Sequence, residues 1–376
     1  MVKIIQRENK NYYQCEECQH VYENEVLAKE CEDWCKKYKN CNLEIVKQAI
    51  KLQINEEKRN NLDENNSKKL NLKQLLIGIL IGGLAIFVLA NFKFLKLSNS
   101  NNSVNNELIQ QIISQVLPQE GFKTRIVFGD AVKKMIDCGV IDLEKMKKLY
   151  NGKIPEYIQK TIDGSNEPIV INQETANHLL TLFWPLGLSN KTEFNKNIPF
   201  SEKELPYLAS TGGWWLGKKD NGAEYFNKCE IIKLTPEQEE IVYRVAQNTF
   251  RPCCNNSTFA QDCNHGSALL GALELAASQG YSEDELYKLA LQLNSFWFPQ
   301  NYIKIALYKK LVEGKDWPLT QIDKNIRENP FNDPSISEVK EIMSAKFSSI
   351  SGYIQNVEKK LANVPNIPST GGGCGL

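Results

Sequence analysis

From Gln74 to Phe92 the chain reads QLLIGILIGGLAIFVLANF, nineteen residues without a charge. At about 1.5 Å per residue, a helix of that length nearly crosses a hydrocarbon core. Leu72, Phe94, Leu95 and Leu97 extend its reach. A helix buried inside a globular protein is rarely apolar on every face, and the stretch starts too deep in the chain for a cleaved signal peptide. The sequence therefore predicts one transmembrane helix over 73–97, with Lys93 and Lys96 snorkelling to the headgroups. Lys58, Arg59, Lys68, Lys69 and Lys73 precede the span, and only Lys93 and Lys96 follow it closely. By the positive-inside rule the expectation is a single-pass cell-membrane protein, N-terminus cytoplasmic and C-terminal domain extracytoplasmic. Gly78 and Gly82 form a G-x-x-x-G pair through which two copies could dimerise.

Around that span the expected fold class is mainly α. Residues 1–50 form a small zinc-finger-like module with a helix, and 51–72 a polar linker. Residues 98–120 are a Ser/Asn-rich tether, 121–365 a helical outer domain and 366–376 a Gly-rich tail. Lys and Arg together number 45, as do Asp and Glu, so no global charge excess points to nucleic acid.

The N-terminal module carries Cys15, Cys18, Cys31 and Cys35 with the spacing C-x2-C-x12-C-x3-C. This resembles the ββα finger usually called C2H2, with cysteine in place of both histidines. The resemblance implies a first pair on a hairpin and a second pair one helical turn apart. Four thiolates close a tetrahedral structural zinc site whose metal bonds supply most of the folding energy of so small a unit. Cys41 competes with Cys35 as fourth ligand. Between Cys15 and Cys35 stand seven acidic residues, one Lys and no Arg. Phosphate contact needs cations, so the expected partner of the finger is a protein and not nucleic acid. Glu44–Ile54 reads as an amphipathic helix.

In the outer domain, Asp130 caps a helix ending at Gly139, with Cys138 expected as a core thiol. Pro168–Ile171 reads as a short strand, and a helix follows through Ala176–Leu182 into Phe183-Trp-Pro-Leu-Gly187. His178 is expected to be a hydrogen-bonded structural residue. Trp214 and Trp215 are expected to pack on the core. Thr235-Pro-Glu-Gln238 and Ser282-Glu-Asp-Glu285 are capping boxes that open helices. A long amphipathic helix is expected from about Ser335 to Ala362.

The chemistry concentrates between Pro252 and Gly266. Cys253, Cys254, Asp262, Cys263 and His265 crowd into thirteen residues at the start of an Ala/Leu-rich helix, Ser267–Ser278. The positive end of a helix favours thiolate and neutral imidazole, the forms that bind metal. Three readings stay open. Cys253, Cys254, Cys263 and His265 bind Cu(I) or Zn(II), with Asp262 as ligand or supporting partner. A vicinal cysteine makes and breaks a disulfide with Cys263. Or the segment holds a static disulfide and a structural histidine.

Arg251-Pro-Cys-Cys254, a helix, a glycine and Ser282-Glu-Asp-Glu-Leu286 resemble the thiol-oxidoreductase subunit of bacterial cytochrome c maturation over 242–298. That family has Arg-Cys-x-x-Cys at a helix start; here the cysteines are adjacent, and Cys263-Asn-His265 has no counterpart in it. The whole layout also resembles a family of prokaryotic single-span membrane proteins with a cysteine finger and an outer CCNN…DCNHG segment, a resemblance that implies no activity. The sequence thus points to a membrane-anchored protein whose outer domain binds a metal or handles thiols. The alternative is a non-enzymatic membrane adaptor or sensor with a cytoplasmic structural finger. No serine elbow or metalloprotease helix suggests a hydrolase.

Overall fold

In the computed structural model, the described residues are 2–7, 10–18, 20–38, 43–46, 48–50, 107–319 and 335–345. The chain divides into two compact units, one of Met1–Ala49 with Ile112–Leu376 and one of Ile50–Gln111. The described residues lie almost entirely in the first.

At the N-terminus, β1 (Lys3–Arg7) pairs antiparallel with β2 (Lys10–Gln14), and β2 pairs with the short β3 (Val21–Tyr22). Helix α1 (Glu25–Tyr38) follows, then a single turn, α2 (Leu43–Val46). The expected helix over Glu44–Ile54 therefore stops at Val46. Ile45 and Ala49 pack on the finger core instead of extending a free amphipathic face.

The rest of the described chain is mainly helical. β4 (Phe122–Lys123) and β5 (Val170–Ile171) pair antiparallel, and between them lie α3 (Ala131–Cys138), α4 (Leu143–Leu149) and α5 (Glu156–Ile162). Then come α6 (Ala176–Ser189), α7 (Pro236–Gln247), α8 (Asn264–Ser278), α9 (Glu283–Trp297), α10 (Pro299–Tyr308) and α11 (Ser335–Ser344). Both capping boxes form: Thr235 with Gln238 opens α7 and Ser282 with Glu285 opens α9. Each satisfies two backbone N–H groups that no helical carbonyl can reach.

Helices α6 and α8 make the centre of the fold. α6 runs through Pro185 to Ser189, as the expected helix into Phe183–Gly187 did. Phe183, Trp184, Leu186 and Leu188 are buried there, and burial of so much apolar surface outweighs the hydrogen bond that proline removes. The helices cross at Gly187 and Gly271: a Cβ on Gly187 would lie 1.9 Å from the Ser267 carbonyl oxygen. That crossing holds α8, and the cysteines at its start, in place.

The expected transmembrane helix is corrected. Among the described residues no helix is long and apolar enough to cross a membrane. The apolar helices α6 and α8 have 14 and 15 residues and reach only about 21–23 Å, against a hydrocarbon core of ~30 Å. Residues 73–97, on which the expectation rested, lie outside the described residues, as do Gly78 and Gly82. Trp34 on α1 packs against Phe200, Leu205, Leu208 and Ala260. Finger and helical region thus share one compact unit instead of lying on opposite faces of a bilayer. The single-pass localisation is overturned with the span.

Cys138 is not a lone core thiol: it is disulfide-bonded to Cys229, 91 residues away. Closing a loop of that length removes entropy from the unfolded chain. Replacing both cysteines by serine is expected to cost about 2–4 kcal/mol, read as a lower denaturation midpoint. Wild-type protein should fall to the same midpoint when reductant is present, and an unchanged midpoint in both would refute the link. His178 shares a hydrogen bond with the Tyr150 hydroxyl at 2.9 Å, the structural role expected of it. Trp214 is buried and donates to the Val140 carbonyl at 2.7 Å, whereas Trp215 is exposed.

On α8, Glu274 is fully buried, and one of its oxygens accepts from Asn190 Nδ2 at 2.9 Å. Its other oxygen has no partner among the described residues. Burial holds this carboxyl well above the ordinary glutamate value near 4.5, although the Asn190 bond opposes the shift. The folded protein therefore keeps the proton that the unfolded chain releases above that pH. Stability is fully present below the unfolded value and is lost as pH rises towards the folded one. Glu274→Gln keeps the shape and never ionises. It is expected to match wild type in urea midpoint at pH 5 and to exceed it at pH 8; a variant that tracks wild type at both refutes the reading.

Candidate metal centres

Two groups of side chains among the described residues can hold a metal ion: Cys15, Cys18, Cys31 and Cys35, and Cys253, Cys263 and His265. In each, one ligand atom per residue lies within 4.8 Å of all the others.

In the finger, Cys15 follows β2 and Cys18 lies in the turn before β3, while Cys31 and Cys35 stand one turn apart on α1. Cys18 Sγ and Cys31 Sγ are 3.4 Å apart. Tetrahedral bonds of about 2.3 Å from one zinc would put sulfurs ~3.8 Å from each other, so the spacing suits a single ion. Contacts with Cys15 and Cys18 push the thiols of Cys31 and Cys35 up. Four sulfurs this close cannot all be thiolates unless a cation sits among them. Cys41 lies outside the described residues. A fifth group escaped the sequence reading: His20 Nδ1 is 3.2 Å from Cys18 Sγ, and that contact, against burial, raises the imidazole pKa. The signal was available, because Cys18-x-His20 repeats the pattern of Cys263-x-His265.

The second centre is built where α7 hands over to α8. Helix α7 ends at Gln247, and the chain makes a turn closed by the Asn255 N–H donating to the Arg251 carbonyl at 2.8 Å. Asn255 takes a left-handed φ of 54° to close it. The turn presents Cys253 and Cys254 side by side. A short 3-10 turn, Thr258–Ala260, and a left-handed Gln261 (φ 48°) then bring the chain back. Cys263 is the N-cap residue of α8 and His265 lies in its first turn. Sequence reasoning started this helix at Ser267, three residues after its observed start.

Cys253 Sγ lies 3.6 Å from both Cys254 Sγ and Cys263 Sγ. Cys263 is fully buried and His265 is 7% exposed, with the rings of Phe298 and Trp297 centred 4.5 and 5.9 Å from the imidazole. Nδ1 of His265 is buried without a hydrogen-bond partner. Cys254 stands beside the three-residue group without belonging to it, and Asp262 is committed elsewhere.

Asp262 pairs with Arg251, and both side chains are fully buried. Arg251 also donates to the Ser257 carbonyl at 2.8 Å and, through Nη1, to Cys263 Sγ at 2.6 Å. The guanidinium fits only because residue 266 is glycine: a Cβ there would stand 2.7 Å from Nη1. Burial works against charge on Cys263, yet hydrogen bonds from Cys253 and Cys254 and the Arg251 cation bring its thiol well below the ordinary range. Contacts with Cys254 and Cys263, and burial, push Cys253 up. The arrangement is a buried Cys263 sulfur against a cation, a second thiol in contact with it, and an imidazole beside both. Sequence reasoning gave Arg251 no charge partner; Asp262, eleven positions on, becomes one only in the folded chain.

No family model, no curated protein and no solved structure matches this chain.

Proposed function

We propose that the helical region is a metal-binding domain whose centre is Cys253, Cys263 and His265, and that the finger holds a structural zinc at Cys15, Cys18, Cys31 and Cys35. The observation that carries the first part is the buried imidazole of His265. Its Nδ1 has no hydrogen-bond partner, a costly state for a buried polar atom, and a ring nitrogen lies within 4.8 Å of two sulfurs. A metal ion relieves that cost directly. The disulfide of this region joins Cys138 and Cys229, whereas Cys253, Cys254 and Cys263 are thiols outside any disulfide. This argues against a static bridge in the loop.

Two thiolates and one imidazole are a soft-to-borderline donor set suited to Zn(II) or Cu(I). Charge favours zinc: two thiolates and a dication sum to zero, as do Arg251 and Asp262. Metal analysis of the purified full chain tests the reading. Wild type is expected to carry one ion more than the Cys253→Ser/Cys263→Ser variant and one more than the Cys15→Ser/Cys18→Ser variant. Equal metal content in wild type and the Cys253/Cys263 variant removes the second centre from the proposal.

Thiol–disulfide exchange is the second reading, favoured by the 3.6 Å between Cys253 Sγ and Cys263 Sγ. It predicts that mild oxidation joins these two residues, identified by peptide mapping. The adaptor reading needs neither property and gains if both tests fail.

A further inference from the structure

Within the proposed centre the cysteines differ in access. Cys253 and Cys254 are half-buried, while Cys263 is fully buried. Cys253 Sγ lies 3.6 Å from both Cys254 Sγ and Cys263 Sγ, and Cys254 also contacts Cys263. Beside Cys253 and Cys263 stands the imidazole of His265, whose Nδ1 is buried without a hydrogen-bond partner. A structural site would be expected to gather four donors around one point; here the half-buried thiol of Cys254 falls outside the group. The Arg251–Asn255 turn fixes the backbone of both vicinal cysteines, so this offset is built into the loop.

Resting on the metal-binding reading, we propose that Cys254 is an entry ligand, and that the centre receives its ion from a metal–thiolate complex by ligand exchange. Cys254 Sγ bonds to the ion as one donor sulfur–metal bond breaks. The Cys254 proton passes to the departing thiolate, which leaves as a thiol, and no electron changes hands. Cys253 replaces a second donor thiolate in the same way. The ion then passes to Cys253, Cys263 and His265, and Cys254 is released with its proton restored from solvent. The chemical class of the partner follows: a carrier of a d10 ion on thiolates, either a small thiol or a cysteine-bearing protein. Hydrated ions need no such relay.

The test uses the full chain preloaded with Co(II), whose thiolate absorption reports the site, with the Cys253→Ser/Cys263→Ser chain subtracted to remove the finger's signal. Displacement is timed after adding Zn(II) either as its glutathione complex or as the hydrated ion. For Cys254→Ser the expected result is an unchanged metal content, displacement by the thiolate complex slowed by about tenfold, and an unchanged rate with hydrated zinc. Cys254→Ala must behave likewise, which separates loss of the thiol from local misfolding. Wild-type speed in both variants overturns the inference, as does equal slowing with hydrated zinc. Loss of one ion per chain also overturns it, because Cys254 would then be a permanent ligand. If wild type holds no ion beyond the finger's, the metal-binding reading itself fails, an outcome distinct from the others.

Discussion

Chelating the metal from the finger, with thiols kept reduced, is expected to strip hydrogen-exchange protection from residues 3–38 while leaving 122–308 protected. The finger's buried set consists of Cys15, Cys31 and Cys35 together with Tyr22 and Ala28. Three of those five are proposed ligands, so little apolar surface remains to stabilise the fold once the ion is gone. A unit of about 40 residues rarely folds on hydrophobic burial alone, whereas zinc binding to such modules contributes on the order of 10–16 kcal/mol. Without the cation the crowding that raises Cys31 and Cys35 opposes closure as well. The helical region draws on a different source: α6, α8 and α9 bury Leu179, Leu182, Leu270, Leu273, Leu289 and Leu293, none of which depends on metal. Unchanged protection in the finger after complete metal removal would show that its fold rests on packing. The docked Trp34 on Phe200, Leu205 and Leu208 would then be the first contact to examine.

The parts of this protein legible from sequence are those that local chemistry decides. Cysteine spacing located the four finger cysteines that the fold gathers, since C-x2-C and C-x3-C are set by a turn and by one turn of helix. The two capping boxes marked the starts of α7 and α9, because side chains three residues apart satisfy them without help from elsewhere. The Cys253–His265 cluster was visible as composition. What it lacked was geometry: nothing local says that Cys254 stands outside the group, or that Asp262 is spent on Arg251. The Cys138–Cys229 bridge joins residues 91 apart, and such pairings follow from tertiary packing alone. Pro185 and Gly266 sit inside helices for a related reason. Each lowers helix propensity locally, and each is tolerated because its neighbours are buried: Pro185 among Phe183, Trp184 and Leu186, Gly266 where only a hydrogen leaves room for a guanidinium.

Arg251 is the residue whose loss the second centre should survive least. The side chain is buried, paired with a buried carboxylate, and shared between Ser257 and Cys263. Arg251→Met keeps much of the volume and none of the charge, leaving Asp262 buried without its partner. Breaking one side of such a pair costs about 3–5 kcal/mol, expected here as a drop in the urea midpoint with little change in slope. Arg251→Met/Asp262→Leu should recover a substantial part of the loss, because it removes the stranded carboxylate together with the cation. Strict additivity of the two single substitutions would mean that they do not act as a pair. Metal content gives an independent readout. In the double variant Cys263 no longer has a cation against its sulfur, so the proposed centre should hold its ion more weakly even where stability is regained. Restored stability with undiminished affinity would assign Arg251 to the fold alone; a separation of the two would show that one buried cation supports the fold and tunes the thiolate.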